Sequence, residues 1–183
     1  MTEDSSQDED LARERRLRTK AETRAGEVAA LLTLRGQKLV LAESCTGGLV
    51  AALLTDIPGA SRFFWGGLVV YSEDAKRRLG GVDPAILASE GAVSRATALE
   101  MAEGALARSE ADLAVSITGF AGPETAETET GPGRVVLAWV GRHDEPRVEE
   151  IRFAGGRKTV RLAAALRALD GIMDPRIGGS ARY

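Results

Sequence analysis

Short β-rich runs alternate with helical patterns along most of this chain of 183 residues. The run from Lys38 to Ala42 (KLVLA) precedes an apolar helical stretch from Leu49 to Asp56. A second run, Phe64 to Tyr71 (FWGGLVVY), precedes a short helix for which Ser72 is the predicted N-cap. Strands that alternate with helices predict a sheet covered by helices, and therefore an α/β fold.

The second half of the chain continues this alternation and adds one constraint. It contains three further predicted strands, Leu113 to Thr118, Arg134 to Val140 and Arg147 to Phe153. Helices are predicted to begin at Asp83 with Pro84, at Ser94, and near Gly156. Because only a short turn joins the last two strands, part of the sheet is expected to be antiparallel. The predicted fold is a single-domain three-layer α/β/α sandwich with a mixed, mostly parallel sheet.

Both ends of the chain are expected to lie outside the folded domain, which we place at residues 11–174. Residues 1–10 (MTEDSSQDED) are predicted to form a disordered acidic tail, and residues 175–183 a flexible one. A charged helix is predicted from Leu11 to Arg35, and only its second half places apolar side chains at helical spacing. Its first half carries five cations, which fit either a solvated face or an arm that binds a partner. These cations are Arg13, Arg15, Arg16, Arg18 and Lys20.

Composition and charge exclude several classes of protein. A net charge of −3 gives no general attraction to nucleic acid, so direct nucleic-acid binding is not expected. No apolar run approaches the roughly 18 to 20 residues that span a bilayer, and the acidic N-terminus is unlike a secretory signal. The single cysteine, Cys45, excludes an intramolecular disulfide, which fits a protein of the reducing cytoplasm. Aromatic residues make up only 4% of the chain, and with an amphipathic first helix this favours a homo-oligomer.

Polar residues gather where three predicted strands end. Ser44 follows the first strand, Tyr71 ends the second with Lys76 one helical turn further on, and Thr118 ends the third. In open α/β sheets, ligand sites form outside the carboxyl ends of the strands. If these strands run parallel, their ends bring all four residues to one crevice.

The segment Ser44-Cys45-Thr46-Gly47-Gly48 leads from the first strand into a helix. The free N–H groups at the start of that helix suit a phosphate, or the oxyanion of an acyl-transfer intermediate. Gly47 and Gly48 lack a Cβ atom and let a substrate approach the backbone closely. Ser44 then stands where a nucleophile is needed. The alternative is that Ser44 and Thr46 only cap the helix.

A serine nucleophile needs a base, and this chain offers lysine rather than histidine. The one histidine, His143, falls in a predicted turn between two late strands. Because the chain has only one histidine and one cysteine, we expect no metal site. Lys76 acts as a base only if its surroundings lower its pKa; otherwise it is a surface lysine. Tyr71 is a candidate to anchor a substrate hydroxyl or to support the lysine, or is a half-buried strand residue.

Two later segments supply further candidates. Thr118 and Gly119 are predicted to donate hydrogen bonds to a substrate, unless they only form a tight turn. The long polar loop from Gly119 to Gly133 contains carboxylates, at 124, 127 and 129, that fit a lid or solvated side chains. Cations at the start of the last helix are unfavourable unless an anion lies nearby, so Arg157 and Arg161 are candidates to bind a phosphate or carboxylate.

Four segments together resemble one protein family, the CinA C-terminal domain. They are AESCTGG (Ala42 to Gly48), GGLVVYSEDAK (Gly66 to Lys76), GAVSRATALEMAEGAL (Gly91 to Leu106) and VSITGFAGP (Val115 to Pro123). The resemblance runs from about Glu27 to Leu169. It implies a compact α/β/α domain that deamidates nicotinamide mononucleotide to nicotinate mononucleotide and ammonia, without a metal or other cofactor.

The resemblance also implies roles for individual residues. The family's serine nucleophile falls on Ser44, its tyrosine on Tyr71 and its lysine on Lys76. Its glycine-rich and hydroxyl positions fall on Thr46, Gly47, Gly48, Thr118 and Gly119.

Some segments depart from the family pattern. The chain has Thr130-Gly131-Pro132-Gly133-Arg134 where a Lys-Pro-Val-Gly-Thr-like passage is usual, and Gly155-Gly156-Arg157 where Gly-Asp-Arg is common. Thr118 stands where serine is more usual. The substrate is therefore less firmly implied than the reaction. Two other functions stay open, a non-catalytic nucleotide-binding module and an interaction protein related to competence or DNA repair.

Overall fold

A five-stranded mixed sheet forms the centre of the fold in the computed structural model, which describes residues 2–122 and 132–177 (backbone alone for residues 2–7). Its strands are β1 (Leu39–Glu43), β2 (Phe64–Val69), β3 (Leu113–Gly119), β4 (Arg134–Gly141) and β5 (Arg147–Arg152). They lie in the order β2-β1-β3-β4-β5, with β1 parallel to β2 and β3, and β4 antiparallel to β3 and β5. This confirms the predicted α/β class and mixed sheet.

Helices cover both faces of the sheet. They are α1 (Thr2–Arg35), α2 (Leu49–Thr55), α3 (Glu73–Ala75), α4 (Pro84–Glu90), α5 (Arg95–Ala107) and α6 (Arg157–Ile172). Successive side chains of β1 point to opposite faces, so Leu39 and Leu41 enter one core, and Val40 and Ala42 enter the other. The first core lies under α1, α2 and α6, and the second under α5. The predicted three layers are therefore present.

The predicted helix starts are confirmed by their capping hydrogen bonds. The side chain of Ser72 accepts a hydrogen bond from the Ala75 N–H, and those of Asp83 and Ser94 likewise accept N–H groups in the first turns of α4 and α5. The helix predicted to contain Lys76 differs in form, because α3 is a single turn that continues as a π-helical segment, Lys76–Gly80. Short π-helical segments occur frequently at functional sites.

The ordered backbone extends beyond the predicted bounds of the domain at both ends. The first helix begins at Thr2 rather than near Leu11, so residues 2–10 are helical where a disordered tail was predicted. At the other end Ile177 is buried, and its carbonyl accepts a hydrogen bond of 3.1 Å from Arg35 Nη1. Residues 178–183, the rest of the predicted tail, lie outside the described residues.

Parallel pairing places the carboxyl ends of three strands at one edge of the sheet. Glu43, the last residue of β1, pairs with Val69 of β2 and with Ile117 of β3. The segments that follow these strands therefore start side by side. Residues 123–131, most of the long loop predicted after β3, lie outside the described residues, as do its three carboxylates.

Candidate active site

Ser44 lies at the centre of this edge, directly after β1. Its backbone N–H donates a hydrogen bond of 2.8 Å to the carbonyl of Ile117, which extends the pairing of β1 with β3 by one residue. The side chain is buried, with only 5% of its surface exposed. The position of the hydroxyl is therefore fixed by the sheet.

Lys76 reaches Ser44 from the segment that follows β2. Its Nζ lies 2.9 Å from Ser44 Oγ and donates a second hydrogen bond of 3.2 Å to the carbonyl of Val70. The lysine is 2% exposed, and no described carboxylate forms an ion pair with its amine. The structure thus brings together the two residues that the sequence predicted as nucleophile and base.

Burial changes the protonation of this lysine. Removal from water disfavours the charged ammonium and lowers the pKa of Lys76 below 10.5, although Cys45 and Glu73 act in the opposite direction. A neutral amine keeps a lone pair that can accept the proton of the Ser44 hydroxyl at the observed separation. This arrangement can therefore activate the serine without a histidine.

Glu43 holds the turn that follows Ser44, a role that the sequence analysis did not identify. Its side chain is 1% exposed, and its carboxylate accepts hydrogen bonds from the N–H groups of Gly48 (3.0 Å), Val50 (3.2 Å) and Ala51 (2.9 Å). These are the free N–H groups at the start of α2. An acidic residue six positions before the start of α2 was the available signal, since carboxylates favour helix N-termini.

This arrangement corrects the predicted oxyanion site. The Gly48 N–H donates to Glu43 and the Gly47 N–H to the carbonyl of Ser44, so neither points freely at a substrate. Neither the Cys45 N–H nor the Thr46 N–H donates to a backbone carbonyl among the described residues, and the Cys45 N–H interacts with its own thiol. These two N–H groups, which adjoin Ser44, are the candidate donors to an oxyanion.

Gly47 and Gly48 are required by the shape of this turn. Their φ angles are +61° and +87°, in the left-handed region that side chains other than glycine rarely adopt. A Cβ at Gly47 would contact Arg161, and one at Gly48 would contact Val69. The two glycines thus allow the chain to turn from β1 into α2 around the Glu43 carboxylate.

Cys45 stands beside the serine and is not activated. Burial raises the pKa of its thiol to about 11, so the thiol stays protonated near neutral pH. Lys76 and the thiol's own backbone partly offset that shift. Of these two neighbouring side chains, the candidate nucleophile is therefore the hydroxyl of Ser44.

Two arginines of α6 contact segments beside Ser44 and after β2. Arg161 Nη2 donates a hydrogen bond of 2.6 Å to the carbonyl of Thr46, and Arg157 Nη2 donates one of 2.9 Å to the hydroxyl of Tyr71. Tyr71 is 61% exposed and makes no described hydrogen bond with Lys76. Of its two predicted roles, anchoring a ligand at the rim fits this position, and direct support of the lysine does not.

Of the remaining predicted residues, Thr46 has a hydroxyl without a partner among the described residues, whereas Thr118 and Gly119 make close contacts within the fold. The hydroxyl of Thr46 is buried and has no hydrogen-bond partner among the described residues. The hydroxyl of Thr118 donates to the carbonyl of Ala92 (2.8 Å), and a Cβ at Gly119 would collide with the backbone of β4. The Thr118 hydroxyl is therefore engaged within the fold, and the close approach of β4 requires glycine at position 119. That either residue donates to a substrate stays a prediction.

Residues 2–122 and 132–177 contain no group of three or more His, Cys, Asp or Glu side chains arranged to hold a metal ion. Over the same residues, no helix is both long enough and apolar enough to cross a membrane.

Fold and site together define a class, an α/β/α protein with a buried serine–lysine pair at the edge of a mixed sheet. The chain belongs to the CinA family, because the sequence model of the CinA C-terminal domain matches residues 21–175. This confirms the resemblance drawn from the four sequence segments.

Relatives and solved structures agree with this assignment. A CinA-like protein of Syntrophotalea carbinolica is 47% identical over 81% of this chain, and one of Geobacter sulfurreducens is 46% identical over 78%. These matches cover 36% and 34% of the relatives, so the chain spans about a third of their length.

The crystal structure of a competence/damage inducible protein from Agrobacterium tumefaciens is similar at a TM-score of 0.81 and 42% identity. It is matched over 84% of this chain and 94% of that one. A CinA superfamily protein from Klebsiella pneumoniae 700603 is similar at a TM-score of 0.81 and 36% identity, over 85% and 96% of the two chains.

Proposed function

We propose that this protein is an amidohydrolase that cleaves the carboxamide of nicotinamide mononucleotide and uses Ser44 as its nucleophile. The observation that carries the proposal is the 2.9 Å separation of Lys76 Nζ and Ser44 Oγ, both inside the protein. A buried amine with a lowered pKa has no evident purpose in a scaffold, since burial of an ionisable group costs stability.

The first half of the reaction transfers the acyl group to the enzyme. Neutral Lys76 accepts the hydroxyl proton while Ser44 Oγ attacks the carboxamide carbon. The N–H groups of Cys45 and Thr46 stabilise the negative oxygen of the tetrahedral intermediate. The carbon–nitrogen bond then breaks, Lys76 returns its proton to the departing nitrogen, and ammonia leaves an ester on Ser44.

The second half hydrolyses this ester. Lys76, neutral again, accepts a proton from a water molecule that attacks the ester carbonyl. The ester bond breaks, the lysine returns the proton to Ser44, and the product acid releases its remaining proton to water and leaves as the nicotinate mononucleotide carboxylate. No step requires an oxidant, a reductant or a metal ion.

The choice of nicotinamide mononucleotide rests on the family resemblance, while the geometry supports acyl transfer. The relatives above carry only the general name CinA-like protein. Two features near the serine suit a nucleotide, the arginines of α6 for its phosphate and the exposed Tyr71 for a hydroxyl.

Ammonia release from nicotinamide mononucleotide tests the proposal. The wild-type protein is expected to release ammonia, and Ser44→Ala to lose at least a thousandfold in kcat while keeping the circular-dichroism spectrum of the folded protein. Cys45→Ala is the matched control and is expected to keep its activity. Full activity of Ser44→Ala would refute the proposal. Thermal stabilisation by the nucleotide without turnover would instead favour a binding module.

A further inference from the structure

A basic cleft of about 410 Å³ lies between the first half of α1 and the start of α6. From α1 it is lined by Leu11, Glu14, Arg15 and Arg18. These four positions have the spacing i, i+3, i+4 and i+7, so they form one stripe along the helix. The first half of α1 therefore faces a cleft on this side, where the sequence suggested a solvated face or a partner-binding arm.

The opposite wall of the basic cleft comes from the layer that carries the active site. Lys158, Arg161 and Leu162 of α6 line it, together with Leu49 at the start of α2. Counted with the α1 stripe, the lining contains four cations and one carboxylate. Of its apolar residues Leu162 is buried, and Leu11 is 49% exposed.

The cations of the basic cleft are weakly compensated. Arg18 pairs with Glu22 at 3.7 Å, and both side chains are more than half exposed, so the pair contributes little. Neither Arg15 nor Lys158 forms an ion pair within the described part of the chain. Like charges that face each other across a cleft favour an anion between them.

The start of α6 adds a second reason to expect an anion. Its first turn contains no acidic residue, and its N-cap, Gly156, supplies no capping side chain. Arg157 and Lys158 occupy that turn, where cations are unfavourable because the N-terminal end of the helix dipole is positive. An anion in the basic cleft would offset this repulsion.

The basic cleft adjoins the serine through a shared residue. Arg161 lines the cleft and also donates to the carbonyl of Thr46, two residues after Ser44. A ligand with its amide at Ser44 and its anionic end beside Arg161 would reach into the cleft. A volume of about 410 Å³ accommodates a phosphate with its sugar.

We propose that the basic cleft binds the phosphate of the nucleotide whose amide is cleaved at Ser44, with Arg15 and Arg18 of α1 as phosphate ligands. This inference rests on the proposed function and adds a substrate-binding contribution from α1. Arg15 and Arg18 precede residue 21, where the CinA match begins, so the contribution comes from outside the matched domain.

A binding experiment tests the basic cleft without turnover. Inorganic phosphate is titrated into the full chain by NMR, and the double variant Arg15→Glu/Arg18→Glu is expected to weaken binding at least about tenfold. The matched control, Arg13→Glu/Arg16→Glu, changes the net charge equally on the same helix but lies off the stripe. It is expected to stay within about twofold of wild type. No binding by wild type, or equal effects of the two variants, would overturn the proposal.

A kinetic experiment distinguishes the substrate's phosphate from a separate anion. With nicotinamide mononucleotide, the cleft variant is expected to raise KM about tenfold or more at unchanged kcat. With nicotinamide riboside, which lacks the phosphate, it is expected to match wild type. Equal changes for both substrates would overturn the assignment to the substrate. If neither compound is hydrolysed by wild type, the proposed function fails, and the phosphate titration alone decides whether the cleft is an anion site.

Discussion

Replacement of Glu43 by glutamine is the sharpest test of how the active-site turn is held. Glutamine keeps the shape of the side chain and one acceptor oxygen, but it loses the charge and presents an NH₂ group to backbone N–H donors. In wild type the carboxylate accepts three such N–H groups while 1% exposed, so water cannot replace it. We therefore expect Glu43→Gln to be strongly destabilising.

The expected size follows from these contacts. Loss of a negative charge at the start of α2 costs about 1 kcal/mol, and a buried N–H left without an acceptor costs about 2 kcal/mol. The free energy of unfolding should fall by about 3 kcal/mol. For a domain of this size, that corresponds to a decrease in Tm of about 6 to 12 °C.

Urea-induced unfolding followed by circular dichroism measures this difference. The midpoint of Glu43→Gln should fall by about 1.5 M at an unchanged slope, taking a slope of about 2 kcal/mol/M. Asp56→Asn is the matched control, because Asp56 is an exposed carboxylate at the other end of α2, and it should change stability by less than about 0.5 kcal/mol. A Glu43→Gln protein as stable as wild type would refute the reasoning.

Two further predictions concern residues beside Ser44. Lys76→Met removes the base and should abolish ammonia release, yet it should not destabilise the protein at neutral pH, because wild type there bears the cost of burying an amine. That cost is greatest below the lowered pKa of Lys76 and disappears as the pH rises to 10.5, the value for the unfolded chain. Between these two pKa values, the stability of wild type relative to Lys76→Met should therefore rise with pH. A stability difference that does not change with pH in chemical unfolding would contradict this. Cys45, with a thiol pKa of about 11, should react with iodoacetamide at pH 8 at least about a hundredfold more slowly in the folded protein than in urea, and equal rates measured by mass spectrometry would contradict the burial described here.

Much of the fold could be predicted because its determinants are local. Ser72, Asp83 and Ser94 act as N-caps through hydrogen bonds two or three residues away, which spacing in the sequence reveals. The meeting of Ser44 with Lys76 was also predictable, because parallel strands end at one edge and carry the residues that follow them.

Other features depend on tertiary positions that sequence patterns do not contain. The hydrogen bonds of Glu43 depend on the left-handed turn at Gly47 and Gly48, which brings the helix start back over the strand end. The contact of Arg157 with Tyr71 joins residues 86 positions apart and depends on how the start of α6 lies beside the segment that follows β2. Thr118 was placed at the correct edge, but the hydrogen bond of its hydroxyl to the carbonyl of Ala92 was not predicted.

The oligomeric state predicted from composition stays a prediction, as does the absence of a nucleic-acid partner. The placement of the domain at residues 11–174 also stays a prediction. The helix that begins at Thr2 and the buried Ile177 extend the ordered backbone beyond both of these bounds.

The central claim is that the buried amine of Lys76 takes the proton of Ser44. The pH dependence of Ser44 labelling by a fluorophosphonate tests it most directly and independently of the natural substrate. Labelling should map to Ser44 and rise with pH through a single ionisation with a midpoint below 10.5, and it should be lost in Lys76→Met. Labelling of Ser44 at the wild-type rate in Lys76→Met, or labelling that maps to Cys45, would contradict the claim.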